Sequence, residues 1–177
     1  MRRKLTPIKG AYWVRNNLVA GEYPREWNER KRRARLRQLL QAGVTLFLDL
    51  TQEREKNLRP YARSLRKEAA AAGRAVEYRR MPVPDFDTPM VEQMRRILDV
   101  LDGAVANEHI AYVHCYAGLG RTGTVVGCYL VRHGMDGQAA LEKLVHLRRG
   151  TDLEGYASPV TDEQRQMVGD WATLESG

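Results

Sequence analysis

The stretch YVHCYAGLGRTGTVVGCYLVRHG, residues 112–134, decides how the rest of the chain is read. An apolar run ends in His114-Cys115, a short loop carries Gly118 and Gly120, and a long apolar-periodic segment begins at Arg121-Thr122-Gly123. The run 109–115 has the length and character of a buried strand, and 121–133 reads as a helix that Gly134 stops. At the start of such a helix the backbone amides lack intrahelical partners, and the helix dipole adds partial positive charge. Gly118 and Gly120 are expected to take positive φ, turning successive amides inward as an anion nest. A phosphate-sized dianion fits that description.

Outward from this stretch, strands alternate with helices. AYWV and NLVAG, within 11–21, read as short strands joined at Asn16-Asn17. Residues 26–42 are expected to be helical, with Leu36, Leu39 and Leu40 on the apolar side and Gly43 past the end. VTLFLDL, 44–50, has the length of a buried strand. A helix is expected over 53–72, its start blurred by Pro60 and its end marked by Gly73. AVEYRRM, 75–81, alternates as a strand, and the proline-rich PVPDFDTP, 82–89, is a loop. Thr88-Pro89 is expected to cap and open a helix reaching about Asn107 and burying Met90, Met94, Ile97, Leu98 and Leu101. Helices over 137–149 and 161–174, the second capped by Thr161, complete the order.

This alternation predicts an α/β fold: a central, mostly parallel sheet of about four to five strands flanked by helices. With neither repeat nor linker, residues 1–177 are expected to form a single domain, its core running from about 11 to 174.

Composition narrows the classes. Hydrophobic residues make up 43% and charged residues 29%, which excludes a disordered or fibrous chain. No apolar stretch follows the basic start MRRKLTPIKGAYWV, so no signal peptide is expected, and no run has the length of a membrane span. Two cysteines, Cys115 and Cys128, make no disulfide framework, and the reducing cytoplasm is the expected compartment. The net charge of +7 is concentrated in REWNERKRRARLR, 25–37. That run reads as a solvated helix face or as a surface for acidic partners. No aromatic interleaving supports a nucleic-acid partner.

Cys115 stands at the base of the 116–120 loop. Inward amides, the helix dipole and Arg121 all favour its thiolate, a strong nucleophile. Arg121 closes the loop, and its planar fork can take two phosphate oxygens at once. Cysteine to attack phosphorus, arginine to hold the equatorial oxygens, and an uncharged loop of N–H donors make one consistent device.

His114-Cys115, five residues, then Arg121-Thr122-Gly123 resembles the signature loop of the protein tyrosine phosphatase superfamily. The pattern Pro-x-x-Asp-x-x-x-Pro, from Pro82 to Pro89, resembles the acid loop of its small dual-specificity members. The resemblance implies a cysteine-phosphatase fold and a metal-independent, cofactor-free phosphatase for phosphotyrosine, and beside it phosphoserine or phosphothreonine. Cys115 would be the nucleophile, passing through a phosphocysteine, and Tyr116, Ala117, Gly118, Leu119, Gly120 and Arg121 would hold the phosphate. Asp85, favoured over Asp87, would be the general acid that protonates the leaving oxygen. Thr122 would help the thiolate leave, and His114 would order the loop from behind. SPVTDEQRQMV, 158–168, resembles a late segment in which a glutamine positions water, a role for Gln164; a Thr161–Gln164 capping box explains the same residues. LVAGEYP, 18–24, also resembles a segment of bacterial members. Cys128, about 10 Å along the helix from Arg121, reads as a core cysteine.

Other functions compete. Members acting on phosphoinositides or RNA 5′-phosphates remain open, although lysines typical of lipid-directed loops are missing from 116–120. A catalytically silent phosphoprotein-binding module would ordinarily lack the cysteine, arginine or aspartate. A sulfurtransferase would leave His114, Thr122 and the acid loop unexplained.

Overall fold

The computed structural model describes residues 6–177. The first basic residues, 1–5, over which no signal segment is expected, lie outside the described residues. Five strands form one sheet: β1 (Ala11–Arg15), β2 (Leu18–Glu22), β3 (Val44–Asp49), β4 (Glu77–Arg80) and β5 (Ile110–Cys115), in the spatial order β1-β2-β5-β3-β4. The hairpin β1–β2 turns at Asn16-Asn17 and is antiparallel; the remaining pairs are parallel. β5 is therefore central, with β2 on one side and β3 on the other.

Alternation along the strands feeds two cores. Leu18, Ala20, Leu46, Leu48, Ala111 and Val113 face one of them. It is closed by α3 (Val91–Ala106), α4 (Gly120–Arg132), α5 (Gly137–Arg148) and α6 (Asp162–Ser176). Val19, Phe47 and Tyr112 face the other, beneath α1 (Glu29–Gln41) and α2 (Ala62–Ala71). Period-two strands buried on both faces are what a parallel sheet between helical layers requires. No helix among the described residues is long and apolar enough to cross a membrane.

Three expectations are corrected. The helix expected over 53–72 is broken: a short 3₁₀ turn covers Glu55–Asn57 and α2 begins only at Ala62. Arg54, Lys56 and Asn57 take left-handed φ of 60°, 44° and 58°, and Pro60 disfavours helical geometry at Arg59. Met90, expected in the core, is 73% exposed; it is the residue before α3, while Pro89 is buried instead. Thr88-Pro89 therefore does not open that helix. α1 starts at Glu29 rather than 26, because the Asn28 side chain accepts the Lys31 amide at 3.2 Å and caps it there.

Candidate active site

β5 delivers Cys115 to the carboxyl end of the sheet, where ligands of open α/β folds bind. The parallel registers set Gly21 and Asp49 on either side of His114, and Glu22 beside Cys115. The loop 116–119 then turns into α4. Gly118 has φ +74°, and a Cβ there would lie 2.5 Å from the Gly21 carbonyl carbon. Only glycine meets both demands. Gly120 does not take positive φ, contrary to expectation. It must be small for another reason: a Cβ would come within 2.9 Å of Gln164 Oε1. Leu119 precedes the helix and provides no side-chain cap, so the first-turn amides of α4 are left for another acceptor.

Behind the loop lies a buried polar relay. The Tyr61 hydroxyl is 2.7 Å from His114 Nε2, and Nδ1 is 3.4 Å from the Cys115 carbonyl and 4.0 Å from Asp49 Oδ1. Acceptors at Nδ1 place the imidazole proton there, so Nε2 accepts from Tyr61. Burial lowers the His114 pKa below its usual value, with Asp49 pulling the other way. Burial pushes the Asp49 carboxyl up, yet His114, Thr51 and Tyr78 together hold it below the usual carboxylate range. Its Oδ1 accepts from the Thr51 amide at 2.8 Å and hydroxyl at 2.6 Å, and Oδ2 from Tyr78 at 2.6 Å. His114 is thus held between Tyr61 and the Cys115 carbonyl.

Arg121 is buried and closes the loop. The end of its guanidinium is bound by Glu55, with two contacts of 2.7 Å, and Nη1 also donates to the Val83 carbonyl at 2.9 Å. Nε is buried and has no hydrogen-bond partner among the described residues. The Nε–H lies alongside Nη2 in a guanidinium, and this edge suits two oxygens of a phosphate. Asp85 Oδ1 sits 3.0 Å from Nη2, and Oδ2 pairs with Lys56 Nζ at 2.5 Å. Asp85 is held there by a turn in which the Asp87 amide donates to the Pro84 carbonyl at 3.2 Å and Phe86 adopts φ +62°. Asp87 is exposed, and its carboxylate accepts the Thr88 amide at 2.8 Å. Of the two acid-loop aspartates, Asp85 is the one beside the arginine.

The remaining candidates divide. Thr122 is buried, with its hydroxyl 3.4 Å from the Gly21 carbonyl. Gln164 is buried and completes a capping box with Thr161; its Oε1 accepts the Val160 amide at 3.0 Å. Its Nε2 donates to the Asp87 carbonyl at 3.0 Å, tying α6 to the acid loop. Tyr116 lies between two cations, with Arg25 at 4.5 Å and Lys56 at 4.7 Å from its ring centre. Cys128 is buried in the α4 core, where burial holds it as a thiol, and its Sγ approaches the Met167 carbonyl at 4.0 Å. Part of the basic 25–37 run is engaged: Arg33 and Arg37 bind Glu68, and Arg35 binds Glu22.

Sequence reading missed Glu55, Lys56, Asp49 and Tyr61. Asp49 carried a signal, a carboxylate inside an apolar strand, which demands partners. Glu55 and Lys56 carried none, since they lie in a polar run that reads as a helix surface.

The family described as Tc-R-P, polymorphic toxin system, DSP-PTPase phosphatase, matches residues 23–135. The chain is 35% identical over 99 residues to the phosphatidylinositol 3,4,5-trisphosphate 3-phosphatase and protein-tyrosine-phosphatase PTEN1 of Arabidopsis thaliana, covering 55% of this chain and 23% of that protein. It is 47% identical over 53 residues to the dual specificity protein phosphatase CDC14B of Mus musculus, covering 28% and 10% respectively. The chain thus spans less than a quarter of the length of these two relatives. Tk-PTP in its active form superposes with a TM-score of 0.71 at 23% identity, over 94% of this chain and 97% of that one. Kinase associated phosphatase with its catalytic cysteine changed to serine gives 0.74 at 17% identity, over 99% of both chains. At these identities the structural likeness is one of fold.

Proposed function

The chain belongs to the DSP-PTPase phosphatase family of polymorphic toxin systems, and from that premise we propose that it is a cysteine-dependent phosphoric monoester hydrolase. Its substrate is phosphotyrosine in a protein or peptide, and beside it phosphoserine or phosphothreonine. The observation that carries this reading is the ion pair of Asp85 with Arg121, Oδ1 3.0 Å from Nη2, with Arg121 ending the loop that Cys115 begins.

In the first step the Cys115 thiolate forms a bond to phosphorus while the bond to the leaving oxygen breaks. The electron pair goes to that oxygen, which takes a proton from Asp85. The equatorial oxygens are held by the 116–120 amides and by Arg121. In the second step water attacks the phosphocysteine, Asp85 accepts its proton, and the S–P bond breaks to return the thiolate and release phosphate. Thr122 stabilises the departing thiolate, and His114 positions the loop from behind. No step calls on a metal.

We further propose that residues 1–177 act as one catalytic unit in the cytoplasm, where both free cysteines stay reduced. The 116–120 loop carries no lysine, which weighs against lipid specialisation. Cysteine, arginine and aspartate are all present, which weighs against a silent binding module.

The test is hydrolysis of p-nitrophenyl phosphate with EDTA present, by wild type and Cys115→Ser. Turnover in wild type that vanishes in the variant supports the reading. Absence of turnover by folded wild type on this probe and on phosphotyrosine peptides rejects it.

A further inference from the structure

A cavity of about 500 Å³ adjoins the phosphate loop, and Tyr116 is common to both. Its wall also includes Lys56, Tyr23, Trp27, Arg32 and Arg59, with five cationic side chains against two carboxylates in all. Those carboxylates, Glu22 and Glu26, are both engaged by Arg35, at 2.7 and 3.7 Å. Positive charge is therefore left over on this side of the site.

Arg32 stands apart from the other α1 arginines. It is only 7% exposed, it lines the cavity, and its Nε and Nη1 are buried with no hydrogen-bond partner among the described residues. Arg33 and Arg37, on the same helix, both hold Glu68. A guanidinium stays charged, and buried donors of this kind are ordinarily paired. Nothing among the described residues pairs these. The two lie on different edges of the guanidinium, and a carboxylate or phosphate entering the cavity would pair one of them in a charge-assisted hydrogen bond. Arg25 stacks on Tyr116, and the exposed Arg59 forms no ion pair among the described residues, so both stand ready at the rim.

Resting on the phosphatase reading above, we propose that this cavity is a second anion subsite, taking a second phosphorylated side chain of a peptide while Cys115 works on the first. Arg32 binds that second phosphate from the floor, and Arg59 meets it at the rim. One orphaned guanidinium matches one dianion. Trp27, 84% exposed, and Leu58 offer apolar surface to the peptide between its phosphates.

The test compares kcat/KM on a peptide with one phosphotyrosine against the same peptide with an added phosphoserine, moved from three residues before to three after. Wild type is expected to favour one bisphosphorylated peptide by about tenfold, mainly through KM. Arg32→Gln should reduce that advantage to near one. Arg59→Gln, at an exposed position that does not threaten folding, should reduce it about threefold, and it carries the test if Arg32→Gln does not fold. Equal turnover of all peptides by wild type overturns the subsite and leaves the phosphatase reading standing. Faster turnover of a soluble bisphosphorylated inositol lipid than of any peptide overturns the choice of a peptide. No turnover of any peptide or of p-nitrophenyl phosphate rejects both readings.

Discussion

Arg121 and Glu55 face each other end to end, Nη1 2.7 Å from Oε2 and Nη2 2.7 Å from Oε1. The pair is nearly solvent-free, with side chains 1% and 6% exposed. Glu55 occupies the two Nη groups at the end of the fork, while Nε has no hydrogen-bond partner among the described residues. Removing Glu55 would leave the buried guanidinium with Asp85 and the Val83 carbonyl as its remaining partners, at a cost of about 1–3 kcal/mol. Glu55→Gln should therefore lower Tm and reduce kcat/KM for p-nitrophenyl phosphate about 10- to 100-fold, with KM rising. Unchanged KM in a folded variant would show that Glu55 does not orient the arginine.

Asp85 and Asp87 make opposite predictions. Asp85 touches Arg121 and Lys56, whereas the Asp87 carboxylate is turned to the Thr88 amide. Asp85→Asn should slow aryl phosphates with poor leaving groups about 100-fold or more, and activated ones far less. Asp87→Asn should leave that dependence as in wild type. A series of substituted phenyl phosphates checks this, and a reversed pattern makes Asp87 the acid.

Gln164 joins two jobs that two substitutions separate. Its Oε1 closes the capping box of α6 and its Nε2 holds the acid-loop carbonyl of Asp87. Gln164→Ala should lose about 1 kcal/mol of stability and also loosen the loop, lowering kcat on poor leaving groups. Gln164→Glu keeps the acceptor at the helix N-terminus and loses the donor. It sets a buried carboxylate oxygen against the Asp87 carbonyl, so it should melt below wild type and show the same kcat defect. Equal activity of Gln164→Glu and wild type would confine the residue to capping.

Acid should unfold the protein in two steps. Burial holds His114 below its usual 6.5, so between that value and its folded pKa the unfolded chain binds more protons. Stability is then full above about pH 6.5 and falls as pH drops, by up to about 1.4 kcal/mol per unit. Asp49 is held below 3.8, so its contribution is present above that value and is lost below it. Melting from pH 8 to 3 reads both. Between pH 7 and 5 the slope should be shallower in His114→Gln, and an identical slope would remove His114 as its source.

The loop from His114 to Thr122 is legible because it is local. An apolar run, glycines and a helix start within a dozen residues leave few geometries for the backbone, and Cys115 and Arg121 lie at the two ends of one short loop. Asp85 is legible for a similar reason, since the prolines around it make 82–89 a loop. The helix expected over 53–72 failed because polar periodicity was read through Pro60, whereas the backbone there takes left-handed turns that no composition signals. Met90 failed because Thr88-Pro89 was read as a helix opening, and the chain stays extended two residues longer, which turns Met90 outward.

By itself, then, the sequence determined the α/β layering, the strand–loop–helix passage through Cys115 and Arg121, and the loop over 82–89, because periodicity, turn chemistry and a short motif act over neighbouring residues. Only the tertiary structure decided which groups support them. Glu55 reaches Arg121 across 66 positions and Tyr61 reaches His114 across 53. Those meetings follow from the parallel registers of β3 and β2 against β5, and such registers are set by packing of both helical layers rather than by any local signal.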